Sequence, residues 1–207
     1  MVVNRSSSSL PTACCLLPAL RGFNTDYAAI LDSITAALGI TREGLAGRRI
    51  AVIGAGGTGR TAVAGLAHCG ATVTVYNRTI ERADALAAEF NGRRGQVTAA
   101  PLDQLRNASC QILINTTSVG MHPKTGESPL GDTPPRLTPD MVVFDTVYNP
   151  MKTKLLSQAG QAGAKTVSGV EMFVRQATGQ FEAWTARPAP REIMRQVIER
   201  RLAPPAD

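Results

Sequence analysis

The segment Gly54-Ala-Gly-Gly-Thr-Gly59 constrains this chain more than any other. It follows at once on the apolar run Arg49-Ile-Ala-Val-Ile53 and opens a stretch of helical periodicity, from about Thr58 to Cys69, that Gly70 closes. A strand, a tight glycine turn and a helix start in that order suit one task, the binding of a dinucleotide. The first glycine permits the turn, the second lets the backbone approach a pyrophosphate, the third lets helix and strand pack closely, and free N–H groups at the helix start face the anion. The spacing by itself also marks ordinary tight turns, so the flanking strand and helix carry the reading.

Strands and helices alternate on either side of this turn. Tyr27, Ile30, Leu31, Ile34 and Leu38 share one helical face, with Thr25 placed as N-cap and Gly39 closing the end. Downstream, the pattern predicts a strand over Thr72 to Tyr76, a helix capped by Thr79 and running to about Phe90, and a short strand near Gln96 to Thr98. A helical piece near Asp103 to Asn107 and a strand over Gln111 to Asn115 come next. After a Pro- and Gly-rich loop from Gly120 to Pro139 follow a strand at Val142 to Asp145, a helix at Lys152 to Gln161 and a last strand at Lys165 to Val167. Val170, Phe173, Val174, Ala177, Phe181 and Trp184 form another apolar stripe, which predicts a long helix from Gly169 to Trp184 with Phe173 and Trp184 facing the core. Pro188 and Pro190 end it, and a final helix from Arg191 to Leu202 is expected to bury Ile193, Met194, Val197 and Ile198. Such alternation implies right-handed βαβ units, so the fold class is α/β, a Rossmann-type doubly wound parallel sheet with flanking helices.

Charge and composition narrow the partners. The 207 residues carry 22 Lys and Arg against 16 Asp and Glu, a net charge of +6, yet the bases are dispersed and only 4% of residues are aromatic. A nucleic-acid binder clusters its cations and interleaves stacking aromatics, so no nucleic acid is expected and a small polyanion fits better. The longest uncharged apolar run, Leu10 to Leu20, is well short of the roughly 20 residues that cross a bilayer, so no membrane span is expected. Cys14 and Cys15 are adjacent while Cys69 and Cys110 stand alone, which is neither a disulfide framework nor a zinc spacing. No metal is expected, and the default location is a reducing cytoplasm. Residues 1–21, with a serine run from Ser6 to Ser9, read as a disordered leader outside any packed element.

The cofactor class turns on the end of the second strand. NAD sites place Asp or Glu there to accept from the ribose 2′-OH. This chain has Asn77-Arg78-Thr79, with Arg82 one turn further and Arg60 beside the glycine turn. A guanidinium holds a 2′-phosphate bidentately where a carboxylate would repel it, so NADP is the expected cofactor. The alternative, a solvated helix start, is weakened because cations there oppose the helix dipole.

Six segments, taken in order, resemble the shikimate dehydrogenase family. They are Gly22-Phe-Asn-Thr-Asp26, Gly54 to Arg60, Asn77-Arg-Thr79 with Arg82, Asn115-Thr-Thr-Ser-Val-Gly-Met121, Asp145-Thr-Val-Tyr-Asn-Pro150 and Gly169-Val-Glu-Met-Phe-Val-Arg-Gln176. Glutamyl-tRNA reductase has a similar Asn-Arg-Thr element, and the Asn-Thr-Asp and Gly-x-x-Met-x-x-x-Gln segments separate the families. The resemblance implies NADPH-dependent reduction of 3-dehydroshikimate to shikimate, a step toward chorismate and the aromatic amino acids. It implies that Gly54, Gly56, Gly57, Thr58, Gly59 and Arg60 hold the pyrophosphate, and that Asn77, Arg78, Thr79 and Arg82 hold the 2′-phosphate. Thr116, Thr117 and Ser118 would line the cofactor near its ribose, with Val147, Gly169 and Met172 at the nicotinamide. Tyr148 and Gln176 would reach substrate hydroxyls, and Asp26 would bind substrate as the acidic member of a catalytic Lys–Asp pair.

The residues read alone agree in part. Met172, Gln176 and Gln180 form an i, i+4, i+8 line off the apolar stripe, suited to facing a cleft, and Tyr148 lies just past the carboxyl end of a strand. Asp26 could equally complement a helix dipole, and Gln176 could be an ordinary surface residue. His68 and His122 are assigned no role.

The same resemblance divides the chain into a leader (1–21), an inter-domain helix (22–39), an NADP-binding domain (40–168) and an inter-domain helix with a C-terminal helix (169–207). The family's catalytic Lys lies upstream of Asn-Thr-Asp, in a substrate domain that also carries a Ser-x-Ser motif. None of the 25 residues before Asp26 is Lys, whereas Lys124, Lys152, Lys154 and Lys165 all lie downstream. The expectation is a truncated form that holds the cofactor half, is inactive alone and exposes an apolar patch, with a homodimer or separate partner supplying the substrate domain. The alternatives are a non-catalytic NADP(H)-binding module and a quinate/shikimate relative, the latter disfavoured by Arg78.

Overall fold

The computed structural model describes residues 22–131 and 137–203, so the leader assigned to residues 1–21 lies outside the described residues. Helix α1, Thr25–Leu38, comes first. Its N-cap is Asn24 instead of the expected Thr25. The Asn24 carboxamide oxygen accepts from the N–H groups of Asp26 at 3.0 Å and Tyr27 at 3.3 Å, which a residue already inside the first turn is not placed to do. At the other end Gly39 takes φ 67°, and the N–H of Ile40 returns to the Thr35 carbonyl at 3.1 Å.

Six strands follow: β1 Arg49–Ile53, β2 Thr72–Asn77, β3 Gln96–Pro101, β4 Ile112–Asn115, β5 Val142–Asp145 and β6 Lys165–Val167. All pair in parallel in the order β3-β2-β1-β4-β5-β6. The connections reverse direction between β1 and β4, which opens a crevice at the carboxyl ends of those two strands. Every residue of β4 and β5 is buried, as strands covered on both faces require.

Alternate side chains feed two cores. Ile50, Val52, Ile112, Ile114 and Phe144 pack with Ile30, Leu31 and Ile34 of α1 and with helices α2, Gly57–His68, and α3, Ile80–Phe90. Ala51, Ile53, Leu113 and Val143 pack instead with Leu155 and Ala159 of α4, Lys154–Gln161. Each fully buried Ile or Leu stabilises by about 1.5–3 kcal/mol, more than any exposed ion pair on this molecule can supply. Helix α4 begins after Thr153, two residues later than expected, because the Thr153 hydroxyl caps it by accepting from the Leu156 N–H at 3.2 Å. The piece after β3, Leu102–Asn107, is a 3-10 helix. None of the helices among the described residues is long and apolar enough to cross a membrane.

Helix α5, Gly169–Thr185, lies along α1, with Gln180 Nε2 donating to Thr25 Oγ1 at 3.3 Å. Helix α6, Arg191–Leu202, packs on α5. Here two burial expectations fail. Ile193 and Val197 are each 62% exposed, no residue of α6 is buried, and Trp184 is 81% exposed. The reason is that α6 is tethered by charge: the Glu171 carboxylate receives Arg175 and Arg191 at 2.7 Å each, and Arg195 as well. Met194 and Ile198 share that packed face and are half-buried, with Thr178 Oγ1 at 4.0 Å from Met194 Sδ, while Ile193 and Val197 turn outward.

Burial works upward on the Glu171 carboxyl, but the bond from Arg195 and the fields of Arg175, Arg195 and Arg191 outweigh it and hold the group below its ordinary range. A depressed folded-state pKa contributes stability that is complete above the unfolded value and lost as pH falls through the folded one. On acidification below the ordinary glutamate range, amides of α6 should therefore lose hydrogen-exchange protection before those of β1 and β4. Glu171→Gln should produce the same selective loss at pH 7, and unchanged protection in α6 would show that the ion cluster does not hold the helix.

Candidate functional site

The turn after β1 is built by mutual exclusion of side chains. Gly54 takes φ 106° and its N–H reaches the Tyr76 carbonyl at 2.8 Å. A Cβ at Gly59 would sit 2.2 Å from the Gly54 carbonyl oxygen, and a Cβ at Gly54 would sit 2.8 Å from Thr116 Oγ1 and from Thr117 Cγ2. Thr116 fills the space beneath, donating from its hydroxyl to the Ile53 carbonyl at 2.7 Å. Gly56 occupies the N-cap of α2 without a side chain to cap it, and both Gly56 and Gly57 look onto open space. The first N–H groups of α2 thus point outward with the helix dipole behind them, a receptor for an anion.

Beyond the end of β2, a cleft of about 370 Å³ lies between this turn and α3, lined by Gly56, Gly57, Arg60, Arg82, Leu86 and Glu89 among others. Asn77 ties the strand end to the turn: its Oδ1 accepts from the Ala55 N–H at 3.3 Å and its Nδ2 donates to the Thr79 carbonyl at 2.7 Å. Thr79 stands at the N-cap position of α3, but its side chain makes no capping bond. Arg60 lines this cleft beside Gly56 and Gly57. Its guanidinium pairs with Glu89 and lies 5.5 Å over the Phe90 ring. Arg82 lines the cleft, and Arg78 is exposed outside its lining.

On the other side of the turn a smaller cleft, of about 170 Å³, is lined by Asp26, Thr58, Thr146, Tyr148, Gly169, Met172, Phe173 and Gln176. Residues 150 positions apart in the chain meet here because α1 and α5 pack side by side. Gly169 is forced by proximity, since a Cβ there would lie 2.4 Å from the Val147 carbonyl oxygen. Val147 is buried behind it. Phe173, expected in the core, instead lines the cleft and meets Tyr148 at 5.0 Å between ring centroids. Gln180 does not reach the cleft and bonds Thr25. Thr146 and Phe173 were not among the expected site residues; only the packing of α5 against the β5 loop selects them. Burial raises the Asp26 carboxyl above its ordinary value. No lysine lines this cleft.

Thr117 also serves the scaffold, its Oγ1 donating to Asn115 Oδ1 at 2.7 Å, while Ser118 is exposed. His68 and His122 are exposed, and no group of three or more metal-ligating side chains occurs among the described residues. A cleft of about 390 Å³ between Tyr27, Arg42, His68 and Arg94 lies at the other end of α2 and gathers none of the glycine-turn residues.

Residues 37–145 match the profile of the family described as shikimate / quinate 5-dehydrogenase. The chain belongs to that family. A second profile, the shikimate 5′-dehydrogenase C-terminal domain, matches residues 169–199. Among relatives, the shikimate dehydrogenase (NADP(+)) of Methanosarcina acetivorans is 42% identical over 185 residues, covering 86% of this chain and 63% of that protein. A crystallised shikimate dehydrogenase in complex with NADP+ superposes with a TM-score of 0.78 at 30% identity, covering 88% of this chain and 63% of that one. The quinate dehydrogenase from Corynebacterium glutamicum in complex with NAD gives a TM-score of 0.73 at 28% identity, covering 84% and 61%. The chain therefore spans less than two thirds of the length of these shikimate / quinate dehydrogenases.

In this member of the family, the contact between Gly59 and the Gly54 carbonyl is testable directly. Gly59→Ala should destabilise by about 1–3 kcal/mol through overpacking, whereas Gly56→Ala, with nothing within 4 Å, should leave thermal denaturation nearly unchanged. Equal Tm values for the two variants would show that α2 can withdraw from β1 at little cost.

Proposed function

We propose that this chain is the NADP(H)-binding portion of a shikimate dehydrogenase, the enzyme that reduces 3-dehydroshikimate to shikimate. One observation carries the reading: the glycine turn separates two clefts that share the first turn of α2. Gly56 and Gly57 line the larger, basic cleft and Thr58 lines the smaller one at Asp26 and Gln176. A dinucleotide lying across the turn would put its adenosine end near Arg82 and Arg78, its pyrophosphate on the α2 N–H groups, and its other end against Gly169 and Met172. The fit is supported by the absent side chains at Gly56 and Gly57 and by the lack of any Asp or Glu at the end of β2. The division into an NADP-binding domain (40–168) with flanking inter-domain helices rests on the same arrangement.

When bound, the reduced nicotinamide supplies a hydride. The chain's own residues act around it. Tyr148 and Gln176 offer hydrogen bonds to substrate hydroxyls, and Met172 and Phe173 exclude water from the cleft floor. The alkoxide formed on reduction of a carbonyl needs a proton or a cation nearby. Asp26, with its carboxyl held high by burial, borders the cleft, but no Lys accompanies it there. The 207-residue chain is thus expected to bind NADPH without reducing 3-dehydroshikimate; a partner or a linked segment would supply the missing cation.

Titration calorimetry should give NADPH an affinity at least tenfold above that of NADH, and Arg82→Ala should lower NADPH affinity about tenfold while leaving NADH unchanged, the scale of one charge-assisted hydrogen bond. Equal affinities in the wild type would favour an NAD-using quinate relative. The dehydrogenase reading is checked by joining to this chain the segment of the Methanosarcina relative that lies outside the match. A folded chimera that binds NADPH but leaves 3-dehydroshikimate unreduced would favour a binding module.

A further inference from the structure

Asp145 is an ionisable residue that the reading above leaves without a task. It ends β5, has 0% relative exposure, and lies behind the smaller cleft instead of in it. Three donors converge on its carboxylate. Oδ1 accepts from Asn115 Nδ2 at 2.9 Å and from the Val147 N–H at 3.1 Å, and Oδ2 accepts from Thr153 Oγ1 at 2.6 Å. Each partner belongs to a different element: Asn115 ends β4, Thr153 caps α4, and Val147 lies in the loop that carries Tyr148 into the cleft.

A buried carboxylate costs several kcal/mol in desolvation unless its partners offset it, so an uncharged residue of similar size would be the default at a purely packed position. What the carboxylate adds is an acceptor-only group with two oxygens. It compels Asn115 to present its Nδ2, which leaves Asn115 Oδ1 to receive the Thr117 N–H at 3.0 Å and hydroxyl at 2.7 Å. At the same time it draws the Val147 N–H inward, which fixes the peptide plane shared with the Thr146 carbonyl, whose oxygen would lie 2.5 Å from a Cβ at Gly169. The glycine turn has its own tie to β4's loop, the Thr116 hydroxyl donating to the Ile53 carbonyl at 2.7 Å.

We propose that Asp145 is a positioning residue for the nicotinamide end of the cofactor: through Val147 and Asn115 it sets the loops after β5 and β4 relative to Gly169, without touching cofactor or substrate. The inference rests on the NADP(H) reading, and it predicts a split between the two ends of the ligand. In the whole chain, Asp145→Ala should weaken NADPH at least tenfold while adenosine 2′,5′-bisphosphate, which carries only the adenosine end, stays within twofold of wild type. Asp145→Asn, which keeps one acceptor oxygen, should show a smaller loss of the same kind, about threefold. In the ligand-free chain, amide exchange at Val147 and Thr117 should accelerate at least tenfold in Asp145→Ala while α2 amides keep their rates. If Asp145→Ala does not fold, Asp145→Asn and Thr153→Val carry the test, and Thr153→Ser should restore the wild-type ratio of the two affinities. Parallel losses for both ligands in folded variants would reduce Asp145 to a stabilising residue, and unchanged affinities would remove it from the site; either result overturns the proposal. A wild-type chain that binds neither ligand overturns the NADP(H) reading itself.

Discussion

The start of α2 meets the end of β1 at a separation that admits no side chain. A Cβ on Gly59 would lie 2.2 Å from the Gly54 carbonyl, well inside any van der Waals limit, so helix and strand can approach only because both positions are bare. That approach points the free N–H groups of α2 across the crevice between β1 and β4. Thr116 completes the arrangement from the neighbouring strand, one hydroxyl tying β4's loop to the Ile53 carbonyl. The sheet order, the crevice and the anion-facing helix end are therefore one structural fact seen at three scales.

The second organising contact is between helices far apart in sequence. Helix α1 precedes the sheet and α5 follows it, yet they lie side by side, and their packing draws Asp26, Met172 and Gln176 to the mouth of the crevice. The buried stripe of α1, with Ile30, Leu31 and Ile34 each fully covered, anchors that helix to the same core that holds α2 and β1. Position in the cleft thus derives from apolar burial, the strongest term available to the fold, and the polar side chains are carried there by it. Helix α6 lacks this anchor. It is held by Glu171 among three arginines, with Met194 and Ile198 only half-buried and Ile193 and Val197 left outward.

Charge placement around the two clefts follows from which partners lie within reach. Arg60 looks in the sequence like a phosphate ligand, but α3 presents Glu89 and Phe90 beside it, and the guanidinium takes both. Arg82 lines the same cleft as Arg60 without such an ion pair among the described residues. In the interior the logic is reversed. Asp145 makes no ion pair among the described residues and is kept by three neutral donors, so it acts through geometry on the loops around it instead of through its field at long range.

Much of this was legible from residue order. The glycine spacing after an apolar strand, the alternation of periods 2 and 3.6, and Arg in place of an acid after β2 are local patterns, and local backbone and charge rules suffice to read them. The β5 and β6 strands and α6 fall at their expected ends for the same reason. What could not be read is everything set by which face meets which neighbour. Apolar periodicity marks a stripe on α5 and α6 but not whether anything covers it, so Trp184, Ile193 and Val197 were placed inward and are exposed, and Phe173 left the core for the cleft. The Arg60–Glu89 pair and the Asn115–Asp145 bond likewise join residues 29 and 30 positions apart, which become neighbours only once the sheet has closed. Sequence alone determined the elements and the chemistry of the turn, because those follow from neighbours along the chain; the folded molecule decided which side chains face the cleft, because that follows from neighbours in space.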